Sequence, residues 1–181
     1  MKMKTACLTF VTAVLLVSCD KKETAITANT DVAAQTQSAA LTAVFAASPV
    51  GEPKAIHRIR ATAKPGDEIT VSGRIMGNAN PFVDSRAAFI LGDPEVLTAC
   101  NERPGDNCDT PWDNCCDSPE DKKRGTATLQ IVDANGRVLK EPLEGVAGIK
   151  KLANLTVTGI VAEGSSRDLL IINAKAIQST P

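Results

Sequence analysis

The chain has 181 residues, of which 43% are hydrophobic and only 3% aromatic, with one tryptophan, one histidine and no tyrosine. Its 20 basic residues face 21 acidic ones, a formal charge of −1, so composition does not supply the positive excess that marks a nucleic-acid-binding chain. A single histidine excludes a multi-His metal site, and no His-containing triad is expected; His57 reads as an exposed residue on a helix ahead of the folded domain.

Lys2 and Lys4 make a short positive start, and Thr5 to Ser18 follow without a charge. The apolar run is shorter than the roughly 20 residues that span a bilayer but suits the hydrophobic region of a signal peptide. It ends in Leu16-Val17-Ser18-Cys19, which resembles the lipobox of bacterial lipoproteins. That resemblance implies cleavage of a leader over residues 1–18, lipidation of Cys19, and a lipid-anchored extracytoplasmic address at the cell membrane. Asp20 resembles an inner-membrane retention signal, but which membrane carries the anchor stays open. Lys2 and Lys4 leave with the leader while all 21 acidic residues stay, which takes the mature net charge to −3.

Residues 19–50 are rich in Ala, Thr, Ser and Gln and read as a lipidated cysteine followed by a flexible tether, with a weakly helical piece at Ser38–Ala47. Residues 51–181 read as the folded domain. Ile56 and Ile59 recur at helical spacing and Ala63 continues the face, predicting a short N-terminal helix that Pro65-Gly66 ends. The period then changes to two. Ile69, Val71, Gly73 and Ile75 predict a first strand, and Ala87–Leu91 a second, closed by Gly92-Asp93-Pro94.

A polar insertion over about residues 95–124 holds four cysteines. Thr126–Val132 is the third predicted strand, turned at Asp133–Gly136, with Arg137–Leu139 continuing the hairpin. Leu143–Leu152 is a connector with one helical turn, and Leu155–Val161 and Leu169–Ile177 are the fourth and fifth strands. The predicted class is all-β: a five-stranded OB-fold-like small barrel with a Cys-rich insertion between strands two and three. Thr70–Ile75 and Thr156–Val161 echo one another, each with a glycine inside the strand, where a small barrel needs a bend.

The segments Gly66-Asp67-Glu68-Ile69-Thr70-Val71-Ser72-Gly73-Arg74-Ile75 and Phe89-Ile90-Leu91-Gly92-Asp93 precede Thr110-Pro111-Trp112-Asp113 with Cys115-Cys116, and Leu170-Ile171-Ile172-Asn173-Ala174 follows. Together they resemble a group of uncharacterised bacterial OB-fold lipoproteins over about residues 55–178. The resemblance implies a fold and an address but no activity, so it transfers no catalytic residue.

Cys100, Cys108, Cys115 and Cys116 lie in one acidic loop with almost no apolar residues. In an exported domain they read first as two disulfides. A bond between adjacent Cys115 and Cys116 is discounted as strained, leaving 100–115 with 108–116, or 100–116 with 108–115. The alternative is a divalent metal site on the four thiols, with Asp106 and Asp109 as further ligands, although the paired C-x2–4-C spacing of zinc sites is absent. A calcium site on Asp106, Asp109, Asp113 or Asp117 matches no EF-hand spacing. The missing C-x-x-C argues against a thiol oxidoreductase. Trp112 and Asp113 are candidate binding residues on the loop.

From Gly66 to Gln178 there are 12 basic and 17 acidic residues, a net of −5, and few aromatics for base stacking. Nucleic acid is therefore a disfavoured partner. No acid–base couple or activated nucleophile stands out, so a non-enzymatic module is expected. The leading expectation is an envelope binding module for a protein or glycan, without cofactor. Its ligand surface would be the face of strands two and three with the loops Gly77–Arg86 and Glu163–Asp168. The alternative is a metal-handling lipoprotein.

Overall fold

The computed structural model describes residues 37–180; the expected leader, Cys19 and the first part of the expected tether lie outside the described residues. No helix among the described residues is long and apolar enough to cross a membrane.

Helix α1 spans Ala39–Ala46. Ser38 caps it, its Oγ accepting from the Leu41 N–H at 3.2 Å and so satisfying a donor that a helix start otherwise leaves unpaired. Leu41 and Val44, one helical turn apart, are buried in the main core. Further on, the Val50 N–H donates to Thr158 Oγ1 at 2.9 Å, and its carbonyl accepts from Thr70 Oγ1. The tether expected over 19–50 is thus corrected: from Ser38 onward the chain is part of the packed domain. Two apolar residues in an Ala- and Thr-rich stretch are too few to reveal such docking by periodicity.

Strand β1 (Lys54–Ala55) lies parallel to the second strand and leads into helix α2 (Ile56–Arg60). Ile56 is fully buried, and Ile59 and Ala63 pack against the core, the face expected from their spacing.

Five strands close the barrel: β2 (Glu68–Ile75), β3 (Ala88–Gly92), β4 (Thr126–Gln130), β5 (Asn154–Val161) and β6 (Ile171–Thr180). The order around it is β2–β3–β4–β6–β5 and back to β2. Every pairing is antiparallel except β4 with β6. This is an all-β, OB-fold-like small barrel, as the alternation of apolar residues predicts. Ile69, Val71 and Ile75, then Phe89 and Leu91, Leu129, Leu155 and Val157, and Ile172 and Ile177 supply the interior.

The two strand glycines sit where the barrel bends. β2 pairs with β5 from Glu68 to Arg74 and with β3 from Arg74 onward, so Gly73 lies at the changeover between partners. Its Cβ, if present, would stand 2.7 Å from the Leu91 side chain and 2.8 Å from the Gly92 carbonyl. At Gly159, beside a register shift between β5 and β6, a Cβ would meet the Asn173 carbonyl at 2.5 Å. Backbone and side chain occupy the space any larger residue needs.

The β4–β5 connection carries a single 3-10 turn, Val146–Gly148, the one turn expected there. One connection differs from expectation. The end of the insertion, expected as loop, forms helix α3 (Pro119–Gly125). Ser118 caps it by accepting from the Asp121 N–H at 3.0 Å, Pro119 opens it, Glu120 and Asp121 occupy its first turn and Lys122, Lys123 and Arg124 its last. That is a standard start-and-stop arrangement, overlooked because no apolar stripe accompanies it.

Candidate metal centre

The insertion has a small apolar footing that its composition conceals. Leu97 and Ala99 are buried together with Met76 from the end of β2, flanked by Val96 and Leu152. Removing a leucine of this size from water is worth about 2 kcal/mol, which fixes the loop's first limb against the barrel.

Above that footing two limbs run side by side. The Cys100 N–H donates to the Asp113 carbonyl at 2.7 Å and the Asn101 N–H to the Pro111 carbonyl at 3.0 Å. Cys100–Glu102 turn as one 3-10 turn, and Arg74 pairs with Glu102. Asp117 pairs with Arg103 and accepts from the Thr98 N–H at 3.0 Å. Lys122 of α3 donates to the Cys115 carbonyl at 3.1 Å. Distant parts of the loop are thereby drawn to one place.

Three sulfurs meet there. The Sγ atoms of Cys100, Cys108 and Cys115 all lie within 4.8 Å of one another. Cys100 and Cys115 are 3.6 Å apart, and Cys116 Sγ is 3.7 Å from Cys115. Zinc–thiolate bonds of about 2.3 Å arranged tetrahedrally put sulfurs about 3.8 Å apart, so these separations suit thiolates around a single cation. A disulfide needs about 2.05 Å. The two expected disulfides are not formed in this structure: Cys100, Cys108, Cys115 and Cys116 are free.

Local environments set the thiols apart. Burial, helped by the hydrogen bond to Cys115, pushes the Cys100 thiol up to about 12. Hydrogen bonding from Thr110 holds the Cys108 thiol below its ordinary value. Cys108 is thus the readiest thiolate, whereas Cys100 gives up its proton only to something that replaces the positive charge. Cys115 and Cys116 are exposed.

The carboxylates expected as further ligands are not brought in. The cluster of candidate ligand atoms among the described residues consists of the three cysteines alone. Asp106 Oδ1 accepts from the Cys108 N–H at 2.8 Å and shapes the loop, and Asp109 is exposed beside the cluster. Asp113 accepts from the Asn114 N–H, and Asp117 is spent on Arg103 and Thr98. The carboxylates of Asp106, Asp113 and Asp117 bind the loop's own donors and Asp109 is exposed, so the structure does not gather the four that a calcium site was expected to use.

Trp112 and Asp113, expected as binding residues, both brace the loop. The Trp112 indole N–H donates to the Ala79 carbonyl at 2.8 Å, and Lys151 Nζ sits 4.3 Å above the ring. Asp113 offers its carbonyl to Cys100. Neighbouring Asn114 is fully buried, and neither side-chain polar atom has a partner among the described residues, a costly arrangement.

A second polar group escaped sequence reasoning. Asp93 is 1% exposed and accepts from the His57 N–H at 2.9 Å, from the Glu95 N–H at 2.9 Å and from His57 Nδ1 at 2.7 Å. His57 is half-buried, not exposed as expected. The two lie 36 residues apart, and only the Gly92-Asp93-Pro94 turn hinted at a special position.

Comparison of the chain with protein-family models, with curated proteins and with solved structures found no match in any of the three. Strand order and pairing alone therefore define the class: a closed five-stranded OB-fold-like barrel carrying a cluster of cysteines in the insertion between its second- and third-ranked barrel strands.

Proposed function

We propose that the protein is a lipid-anchored extracytoplasmic barrel whose insertion captures a soft divalent cation of the zinc type. Cys100, Cys108 and Cys115 serve as thiolate ligands and exposed Cys116 as the fourth. The observation carrying this reading is the mutual approach of the Cys100, Cys108 and Cys115 sulfurs within 4.8 Å, Cys100 and Cys115 being 3.6 Å apart. Of the three, Cys115 is the one that Cys116 Sγ directly contacts, at 3.7 Å. The exposure of Cys115 and Cys116 favours exchange with solvent-borne ligands, hence metal handling over a sealed structural site. The acidic surroundings attract cations and resist thiolate formation until the cation arrives.

The test is intact mass of the full chain, exported to a periplasm, under native and then denaturing conditions, with thiol counting. One metal ion released on denaturation and four titratable thiols are expected. Loss of four hydrogens, with no metal and no free thiol, would overturn the reading in favour of two disulfides. The anchor is tested separately: Cys19→Ser is expected to abolish incorporation of labelled fatty acid and release the chain from membranes.

A groove of about 570 Å³ on the outer face of β3 and β4 supports a second reading, an envelope binding module. Val83, Ala88 and Val138 form its apolar part, and Arg86, Arg137 and Lys140 line it without an opposing acid. An acidic glycan or protein segment suits that charge better than nucleic acid, because no aromatic side chain lines the groove for base stacking. Crosslinking in envelopes from a benzophenone placed at Val83 would capture a specific partner; recovery of none would count against it.

A further inference from the structure

We propose that the cleft between α2, α3 and the β5–β6 loop binds a phosphate-class oxyanion. The cleft holds about 810 Å³ and is lined by Arg60, Lys123, Arg124 and Arg167, with His57 at its wall. Glu120 and Asp168 are the acids that share it. In a domain that carries more acids than bases, three separate segments bring their cations to this one place.

Two of those cations lack a carboxylate partner among the described residues. Arg60 spends its guanidinium on main-chain carbonyls, donating to Thr126 and, at 3.3 Å, to Arg167. These bonds fix the group without neutralising it, and its Nε is buried and unpartnered. Burial accordingly holds the Arg60 pKa below its ordinary value, opposed by Asp168. Arg167 makes no ion pair among the described residues, and the Lys123–Asp168 pair is exposed and long, at 3.9 Å. Such a pair is weak and leaves Lys123 able to turn to a ligand. Arg124 is held by Asp121 at 2.8 Å.

His57 adds direction. Asp93, buried behind it, accepts from both its backbone N–H and its Nδ1. The ring orientation is thereby set, and in the imidazolium form Nε2–H is the remaining donor for a ligand oxygen. The remaining lining is Ala61 and Ala63, and no Ser, Thr or Cys is present. Two held guanidinium groups, Arg60 and Arg124, with Lys123 and Arg167 beside them, suit the charge and multiple acceptor oxygens of a phosphate group.

His57 is the only histidine of the chain, so its imidazole carbon-bound protons report the cleft without assignment. The full chain carrying Cys19→Ser, which removes the lipidation site, is titrated with inorganic phosphate at constant ionic strength. A saturable shift of the single histidine signal is expected, weakened at least tenfold by Lys123→Glu with Arg167→Glu. Both positions are exposed, and an unchanged melting curve shows that the variant folds. A shift that never saturates, or one of equal affinity in the variant, would overturn the proposal. Sedimentation with phosphatidylglycerol vesicles, against phosphatidylcholine vesicles, distinguishes sources: charge-dependent co-sedimentation supports a lipid headgroup, and phosphate binding without it supports a soluble phosphate.

Discussion

The indole N–H of Trp112 donates to the carbonyl of Ala79 at 2.8 Å, tying the cysteine insertion to the β2–β3 loop 33 residues away in sequence. The return contact, from the Gly77 N–H to the Trp112 carbonyl at 3.3 Å, makes the tie a two-point clamp. Lys151 over the ring adds a cation–π contact from the β4–β5 connector. Three separate connections thus converge on one side chain.

Trp112→Phe keeps most of the ring and removes the donor. The expected cost is about 1 kcal/mol, the net worth of one hydrogen bond, with faster hydrogen exchange at Gly77. Chemical denaturation and amide exchange check both; unchanged Gly77 exchange would show that the clamp does not hold the loop.

Gly159→Ala is expected to destabilise strongly, by about 3 kcal/mol, because its Cβ would be forced to 2.5 Å from the Asn173 carbonyl. Gly136→Ala provides the contrast. That position has φ +75° but nothing within 4 Å of the added carbon, so only backbone strain of about 1 kcal/mol is expected. Thermal denaturation of the two variants gives the comparison.

Cys100 makes the metal-free, reduced protein sensitive to alkali. Its thiol is pushed from an ordinary 9.0 up to about 12, so between those values the folded state binds more protons than the unfolded state. Stability therefore falls as pH rises above about 9. Cys100→Ser should flatten this alkaline slope in urea denaturation curves collected with a chelator and reductant. An unaltered slope in the variant would sink the assignment.

Ser118→Ala removes the cap of α3 and is expected to cost about 1 kcal/mol. It also withdraws the hydrogen bond from Ser118 Oγ to Asp121 Oδ2 at 2.8 Å, the first of the contacts, followed by Arg124, that hold the Asp121 carboxyl below its ordinary value. A depressed carboxyl stabilises the fold above its unfolded pKa, and that contribution is lost as pH falls through the folded value. The variant should show a smaller loss of stability on acidification below about pH 4 than the parent chain. Carboxyl titration by NMR checks the shift directly.

Much of the barrel was legible because strand signals are local. Alternation at Ile69, Val71 and Ile75, a continuous apolar run at Phe89–Leu91, and the glycines at 73 and 159 each report a conformation that short-range sterics and burial dictate. Helix α1 was faint, since only Leu41 and Val44 mark its buried face. Helix α3 was hidden behind a wholly polar sequence whose only signals are its cap and charges.

By itself, the sequence determined the five strands, their order along the chain and the placing of four cysteines in one insertion, because period and turn chemistry act over a few residues. Only the tertiary structure decided that Cys100, Cys108 and Cys115 share one point, that Asp93 is buried behind His57, and that Arg60 and Arg167 face a common cleft. Those proximities depend on which segments cross when the barrel closes, and long-range packing leaves no periodic trace in the residues it brings together.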